Sequence, residues 1–133
     1  MKQALIFIQL LFLSSLLFIS CKKNEDPSPV EKIIGVWNFE KTVNFTALNG
    51  VLNYDTAYAV MGDYLEFRTD AKVYSRISGV YDTATYSFLG NNKIIFNTDT
   101  TSINELNDSK LTFEVSRYNN ALDFYEITSY FSR

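Results

Sequence analysis

GVWNFEKTVNFT, residues 35–46, is the stretch of sequence that decides the fold. Counting every second residue from Trp37 places four further side chains on its face: Phe39, Lys41, Val43 and Phe45. The opposite face is mostly polar. Because a period of two is typical of a β-strand with one buried face, this stretch predicts a long strand whose Trp37 face points into the core.

The same pattern continues to the end of the chain. Short alternating runs are separated by clusters of Gly, Asn and Asp, and no proline occurs after Pro29. We predict eight strands: Gly35–Thr46, Asp63–Thr69, Lys72–Ser78, Thr83–Leu89, Lys93–Thr98, Thr101–Leu106, Lys110–Arg117 and Ala121–Phe131. Most connections have hairpin length, and closing the sheet removes its two exposed edges. The expected fold is therefore an all-β, eight-stranded antiparallel up-and-down barrel.

The connection between the first two predicted strands, Ala47–Gly62, is long enough to have a structure of its own. We expect it at the open end of the barrel, where Tyr54 and Tyr58 would join Tyr81 and Tyr118 around a mouth lined with tyrosine. Such a lid suits a small amphipathic ligand or a partner surface. The alternative is a ninth strand or a hairpin extension, turning at Asn49-Gly50, with no binding role.

Alternation along the other strands extends the inward-facing set. Its members are Leu65, Phe67, Val73, Tyr86, Phe88, Ile94, Phe96, Leu111, Phe113 and Val115. Lys41 is the one charged residue on the inner face of the first strand. If Trp37 lies opposite Tyr130, Lys41 lies opposite Glu126, and the two could form an internal ion pair or hold the polar group of a ligand. Equally, Lys41 could extend to the open rim.

The chain has 133 residues, one cysteine and no histidine. The missing histidine excludes catalytic triads and histidine-ligated metals, and a lone cysteine excludes an internal disulfide. We identify no catalytic constellation, no metal site and no cofactor, and we expect a protein that is not an enzyme. With a net charge of −3, nucleic acid is not an expected partner.

The first thirty residues predict where the protein is located. A positive start at Lys2 precedes an apolar run that is too short to span a membrane, which is typical of a signal peptide. Phe18-Ile19-Ser20-Cys21 resembles the lipobox of bacterial lipoproteins. The resemblance implies cleavage before Cys21, acylation of that cysteine and anchoring in a bacterial outer membrane, on its periplasmic or cell-surface face. We assign residues 1–20 to the signal peptide, 21–30 to the acylated cysteine and a flexible tether, and 31–133 to the barrel domain.

Gly35-Val36-Trp37 at the head of the first strand resembles the G-x-W signature of lipocalins. Leu65-Glu66-Phe67, Tyr86 and Leu111-Thr112-Phe113 fit the compact bacterial lipocalin-like domain. In that pattern a late Arg or Lys packs across the tryptophan. Arg133 reaches Trp37 by up-and-down topology, whereas Arg117 lies at the opposite end. The resemblance thus implies a structural pair, Trp37 and Arg133, at the closed end of the barrel.

Two functions remain open from the sequence. One is an anchored protein that binds a small hydrophobic or amphipathic ligand at the open end. The other is a structural or interaction lipoprotein with a filled barrel, which docks an envelope protein or a polysaccharide. An open, partly apolar cavity of about 300 Å³ or more under the Ala47–Gly62 connection would favour the first, whereas a barrel packed shut would favour the second. The candidate ligand-binding residues are Lys41, Tyr54, Tyr58, Tyr81, Tyr118 and Glu126.

Overall fold

The structure is a computed structural model that describes residues 26–120 and 122–133. The predicted signal peptide and the predicted acylation site, Cys21, lie outside the described residues, as does the first half of the predicted tether. In the part of the chain that is described, no helix has the length and apolar character needed to cross a membrane.

The described chain contains one short helix, α1 (Pro29–Ile33), followed by nine strands. The strands are β1 (Gly35–Leu48), β2 (Val51–Tyr58), β3 (Tyr64–Phe67), β4 (Lys72–Ile77), β5 (Val80–Phe88), β6 (Lys93–Phe96), β7 (Asp99–Leu106), β8 (Lys110–Asn120) and β9 (Asp123–Ser132). All pairings are antiparallel and follow chain order from β3 to β9, and β9 returns to β1. The predicted closed eight-stranded barrel is confirmed, with β2 as an additional strand, and it is consistent with a lipocalin-like fold.

The additional strand belongs to a long hairpin with β1. Asn49 and Gly50 both have positive φ angles, 51° and 76°, as a two-residue type I′ turn requires. The turn pairs β2 with the second half of β1, from Leu48↔Val51 to Lys41↔Tyr58. The lid interpretation of 47–62 is therefore wrong, and the structural part of the alternative, an extra strand in a hairpin with β1, is confirmed. Beyond the barrel, the second half of β1, all of β2, the second half of β8 and the first half of β9 form a four-stranded sheet. We call this sheet the extension.

A β-bulge in β1 decides which side chains enter the barrel. Phe39 lies opposite Phe131 of β9, but Lys41 lies opposite Tyr130, so Glu40 has no counterpart on β9. The extra residue reverses the alternation. As a result Thr42, which shares a 3.0 Å hydrogen bond with Ser129, takes the inner side. The predicted inward positions of Lys41, Val43 and Phe45 are wrong, because alternation cannot be carried across a bulge.

The core otherwise contains the predicted residues. Trp37, Phe67, Ile94 and Leu111 are at most 1% exposed. Val73, Tyr86 and Phe113 are also buried, and Phe39, Leu65, Phe88 and Phe96 pack against them at partly buried positions. Val115, the last member of the predicted inner set, is 38% exposed because β8 has left the barrel at that point. The barrel half of the sheet is thus filled mainly by aromatic and branched side chains.

Helix α1 covers the closed end of the barrel. Ser28 and Glu31 form a capping box around Pro29 at the first helical turn, so the helix begins two residues before the expected domain start. Ile33 is fully buried, and its carbonyl oxygen accepts a 2.7 Å hydrogen bond from Trp37 Nε1. The guanidinium carbon of Arg133 lies 3.9 Å from the centre of the Trp37 ring, which confirms the expected pair.

Candidate functional site

The outer face of the extension carries a row of aromatic rings, one from each of its four strands. The row, in spatial order, is Tyr54 on β2, Phe45 on β1, Phe124 on β9 and Tyr118 on β8. Neighbouring ring centres are 6.3, 5.3 and 5.3 Å apart. We refer to these four residues as the aromatic row.

Local structure explains how the row forms. Tyr54 lies directly opposite Phe45, and Tyr118 lies directly opposite Phe124. The bulge at Glu40 turns Phe45 outward, so that its ring meets the edge of Phe124 at 66°. Tyr118 stacks on the other side of Phe124 at 27°. Such cross-strand aromatic pairs stabilise a sheet, and they hold the rings of this row in a fixed order.

The row is open to solvent at both ends. Tyr54 is 67% exposed and Tyr118 61% exposed, whereas Phe45 and Phe124 are half-buried between them. On the barrel side the nearest side chains of this face are small or polar: Thr56, Val43, Glu126 and Ser116. On the other side of the row lie the exposed Leu52 and the buried Ala47. The outer face therefore presents an apolar patch, which hydrogen-bonding groups border on the barrel side.

Polar contacts orient two members of this face. The Tyr118 hydroxyl donates a 3.2 Å hydrogen bond to Glu126 Oε2. Although 61% of Tyr118 is exposed, partial desolvation of its hydroxyl, together with this hydrogen bond, raises the pKa of Tyr118 above its ordinary value. Tyr118 is thus a neutral hydrogen-bonding group at physiological pH. Further down the face, Lys41 Nζ lies 5.0 Å from the centre of the Tyr130 ring.

The structure brings together five of the six predicted ligand-binding residues. Lys41, Tyr54, Tyr58, Tyr118 and Glu126 all lie on the outer face of the extension. The sixth, Tyr81, is on the outside of β5, where its ring is 5.9 Å from the Arg76 guanidinium. The predicted ring of tyrosines around the barrel opening is wrong, because these side chains lie on the outer surface.

The predicted pairing of Lys41 with Glu126 is also wrong. The bulge shifts the register so that Glu126 lies opposite Phe45, while Lys41 lies opposite Tyr130. Sequence reasoning missed Phe45 and Phe124 as the central rings of the outer face. By simple alternation Phe124 shares a face with Tyr130. Once Tyr130 is known to face outward, the sequence therefore places Phe124 on the outer face as well.

The inner side of the barrel keeps a small cavity of about 190 Å³ that is partly open to solvent. It is mainly apolar and is lined by Leu65, Val73, Ser75, Asp82, Ala84, Phe96 and Phe113. Pockets for drug-sized ligands usually measure about 300–1,000 Å³. The cavity also lies between β3–β6 and β8, away from the 47–62 hairpin. The barrel interior is therefore close to filled by its own side chains.

Two larger depressions lie on the surface. One, of about 410 Å³, runs between α1 and β5 at the closed end and includes Ile34, Tyr86 and Phe88. The other, of about 490 Å³, lies at the open rim and includes Asp99, Arg117 and Tyr125. Neither depression contains a predicted ligand-binding residue. Five of the six predicted residues lie on the outer face of the extension instead.

A buried carboxylate holds the open rim in shape. Asp63 is 3% exposed, and its two oxygens accept hydrogen bonds from the backbone N–H groups of Ser78, at 2.9 Å, and Val60, at 3.0 Å. The hydrogen bond from Ser78 is the main cause that lowers the pKa of Asp63 below its ordinary value. Asp63 thereby ties the β2–β3 connection to the β4–β5 turn and is a structural group.

Within residues 26–120 and 122–133, no group of three or more Cys, Asp or Glu side chains is arranged to hold a metal ion. No protein-family model matches the chain, and no curated protein matches it either.

Proposed function

We propose that this protein is a lipid-anchored, non-enzymatic protein of a bacterial outer membrane that holds a polysaccharide on its aromatic row. The filled barrel then serves as a rigid support. The observation that carries the proposal is the row itself, four rings in spatial order across four strands with neighbouring centres 5.3–6.3 Å apart.

The shape of the row favours a polysaccharide over a protein partner. A standard protein–protein interface buries about 800 Å² on each side around a broad apolar core. Here the apolar surface is a small patch, the four rings with Leu52 and Ala47 beside them, and polar residues such as Thr56 and Glu126 border it on the barrel side. A sugar chain is linear, packs the C–H faces of its rings on aromatic rings and presents hydroxyls at its edges. Glu126 and the tyrosine hydroxyls are suitable partners for those hydroxyls.

The size of the interior argues against the ligand-in-barrel alternative. A cavity of about 190 Å³, lined in part by Phe96 and Phe113, is below the size of ordinary ligand pockets. An eight-stranded barrel is wide enough only for its own side chains or for one small ligand. We therefore favour the outer face of the extension as the working surface.

The proposed anchor is compatible with the position of this surface. The lipobox resemblance supports acylation of Cys21, which precedes the first described residue, Asp26, by five positions. The described chain then enters α1 at the closed end of the barrel, whereas the extension lies at the open end. A protein held at its closed end would direct the aromatic row away from the membrane.

Affinity gel electrophoresis with soluble neutral polysaccharides, and co-sedimentation with isolated peptidoglycan sacculi, test the proposed binding. We expect the full chain in detergent to be retarded by, or to sediment with, at least one of these glycans. Tyr54→Ala and Tyr118→Ala should each weaken that binding by about tenfold, as loss of an exposed aromatic anchor does elsewhere.

Tyr81→Ala is the matched control, because Tyr81 is 72% exposed but lies on another face. It should bind glycan as well as the unchanged protein does. The proposal is wrong if no glycan binds, if Tyr81→Ala weakens binding as much as Tyr54→Ala, or if the aromatic row instead retains a purified envelope protein.

Acylation is tested separately with Cys21→Ser. We expect this variant to lose incorporation of radiolabelled palmitate and to accumulate as an uncleaved precursor, whereas Ser20→Ala should still be labelled. A Cys21→Ser protein that matures and stays in the membrane would contradict the proposed anchor.

A further inference from the structure

Strand β2 ends the sheet with an unprotected edge. It pairs with β1 on one side, and within residues 26–120 and 122–133 no strand pairs with its other side. Seven of its eight residues are exposed, and Thr56 alone is half-buried. An unpaired edge of this length presents backbone donors and acceptors that another strand can satisfy.

The hairpin geometry identifies which residues present these groups. In a two-residue hairpin the residues that flank the turn, Leu48 and Val51, form a hydrogen-bonded pair, and such pairs then alternate. The 2.9 Å bond from Ala59 N to the Glu40 carbonyl oxygen fits this alternation. Odd-numbered residues of β2 therefore bond to β1, and the N–H and C=O groups of Leu52, Tyr54, Thr56 and Tyr58 point to the free edge.

Strand β2 carries little protection for this edge. Natural edge strands are usually protected by charged residues, above all Lys, by Pro or by a bulge. The sequence VLNYDTAY, residues 51–58, contains no Lys, Arg or Pro, and its register with β1 runs without a shift. Asp55 is the only charged residue. Leu52, Tyr54 and Tyr58 are each more than 60% exposed, so the edge is also apolar on its outer face.

We propose that β2 pairs antiparallel with β2 of a second copy of this chain, about a two-fold axis at Tyr54. This register places Asn53 opposite Asp55 of the second copy, so that an amide donor meets each carboxylate. It pairs residues 51–57 with about six backbone hydrogen bonds. Centring the axis on Asp55 would set two like charges face to face, and centring it on Asn53 or Thr56 would pair fewer residues.

The dimer would extend the outer face across both copies of the chain. A two-fold axis perpendicular to the sheet keeps the outer faces of both copies on the same side. Tyr54 of one copy then lies beside Tyr54 of the other, and the two aromatic rows become one row across eight strands. The pairing rests on the free edge of β2 and stands independently of the proposed polysaccharide. A strand-edge interface is small, so we expect a dimer of low affinity that membrane anchoring favours by concentrating the copies.

Cysteine cross-linking of the full chain in detergent tests the register. Opposed residues in a hydrogen-bonded antiparallel pair have Cα atoms about 5.5 Å apart, which is within reach of a disulfide. We expect mild oxidation of Tyr54→Cys to give a covalent dimer on a non-reducing gel, above the background of the unchanged chain with Cys21. Asp55→Cys should give none, because the two new cysteines lie two positions out of register. The double variant Asn53→Cys/Asp55→Cys should again give a dimer.

Thr56→Pro, added to Tyr54→Cys, separates specific pairing from random collision. Proline at 56 removes an N–H that faces the free edge but none that bonds β1, so the hairpin should persist by circular dichroism. We expect cross-linking to fall by about tenfold or more, because the two-fold axis removes the hydrogen bond twice. A folded Tyr54→Cys protein without dimer, equal cross-linking of Asp55→Cys, or no effect of Thr56→Pro would each overturn the proposal.

Discussion

At the scale of the residue, the closed end depends on the contact between Trp37 and Arg133. The guanidinium stacks on the indole, and Arg133 Nη2 also donates to the carbonyl oxygens of Lys32, at 2.8 Å, and Ile34, at 2.7 Å. One terminal side chain thereby joins the last strand, the first strand and α1. Because a guanidinium offers several donors around a planar cation, lysine cannot reproduce all of these contacts.

Arg133→Gln tests this contact. We expect a loss of about 1–2 kcal/mol in the free energy of unfolding, since a cation–π contact and two hydrogen bonds disappear. Urea denaturation followed by the fluorescence of Trp37, the single tryptophan, measures it. Arg117→Gln removes the same charge at the opposite end and should leave stability nearly unchanged. Equal stability of the two variants would show that Arg133 does not hold the closed end.

Asp63 makes the stability of the open rim dependent on pH. Its folded-state pKa is below the unfolded value because its carboxylate accepts backbone hydrogen bonds, chiefly from Ser78. A group with a lowered pKa contributes stability above its unfolded pKa, about 3.9, and that contribution is lost as the pH falls through the folded pKa.

We therefore expect Asp63→Asn to be less stable than the unchanged protein at pH 7 and to lose less stability between about pH 5 and pH 2. Urea denaturation at a series of pH values measures both effects. Asp108→Asn, in an exposed turn, removes the same charge and should keep the acid dependence of the unchanged protein. An Asp63→Asn curve parallel to that of the unchanged protein would contradict the assigned role.

At the scale of the element, the β2–β3 connection is held by Arg76. The Arg76 guanidinium donates to the carbonyl oxygens of Gly62, at 3.0 Å, and Met61, at 3.3 Å. Gly62 has a φ of +85°, and a Cβ atom there would overlap Arg76 Nη1. The connection therefore needs glycine for two reasons, its backbone conformation and the space that Arg76 occupies.

Comparing Gly62→Ala with Gly90→Ala separates these two reasons. Gly90 also has a positive φ, +72°, but a Cβ atom there meets nothing within 4 Å. Gly90→Ala should cost about 1 kcal/mol of unfolding free energy from backbone strain alone. Gly62→Ala should cost at least about 1 kcal/mol more, because Arg76 must give up its hydrogen bonds. Thermal denaturation measures both, and equal costs would exclude a role for Arg76.

At the scale of the whole molecule, the interior of the barrel is almost, but not fully, packed. Ala84 lines the remaining cavity of about 190 Å³, so a larger side chain there has space to enter. Filling an apolar void adds buried surface without displacing a neighbour. If the working surface is outside the barrel, filling the cavity should strengthen the fold and leave binding unaffected.

Ala84→Val should raise the free energy of unfolding by about 0.5–1.5 kcal/mol. Chemical denaturation measures this gain, and affinity electrophoresis checks that polysaccharide binding is kept. Ala57→Val, on exposed β2, controls for the preference of valine for strands. Loss of polysaccharide binding in a folded Ala84→Val protein would indicate that the binding site lies in the barrel interior.

Much of the fold follows from local sequence. Alternation around Trp37, Phe67 and Phe113 predicted the inward-facing side chains, and Asn49-Gly50 marked a possible hairpin. Helix α1 was missed, although Ser28-Pro29-Val30-Glu31 is a capping-box pattern with proline at the first helical position. The helix is only five residues long, too short for a helical period to appear.

The candidate site was less accessible to sequence reasoning. Tyr54, Tyr58 and Tyr118 stood out because they lie outside the predicted core. Phe45 was assigned to the interior, since alternation from Trp37 leads there when no bulge intervenes. The bulge at Glu40 depends on how β1 fits β9, and no local pattern in residues 35–46 indicates it.

The sequence by itself determined the all-β class, the turn at Asn49-Gly50 and the Trp37 face that fills the core. These are local properties, because alternation, backbone conformation and side-chain polarity depend on each residue and its neighbours in the sequence. Only the tertiary structure decided that Lys41 and Phe45 face outward and that Tyr54, Phe45, Phe124 and Tyr118 meet in one row. The physical reason is that strand register and bulges arise from pairing between distant segments, and one extra residue exchanges the two faces of a strand.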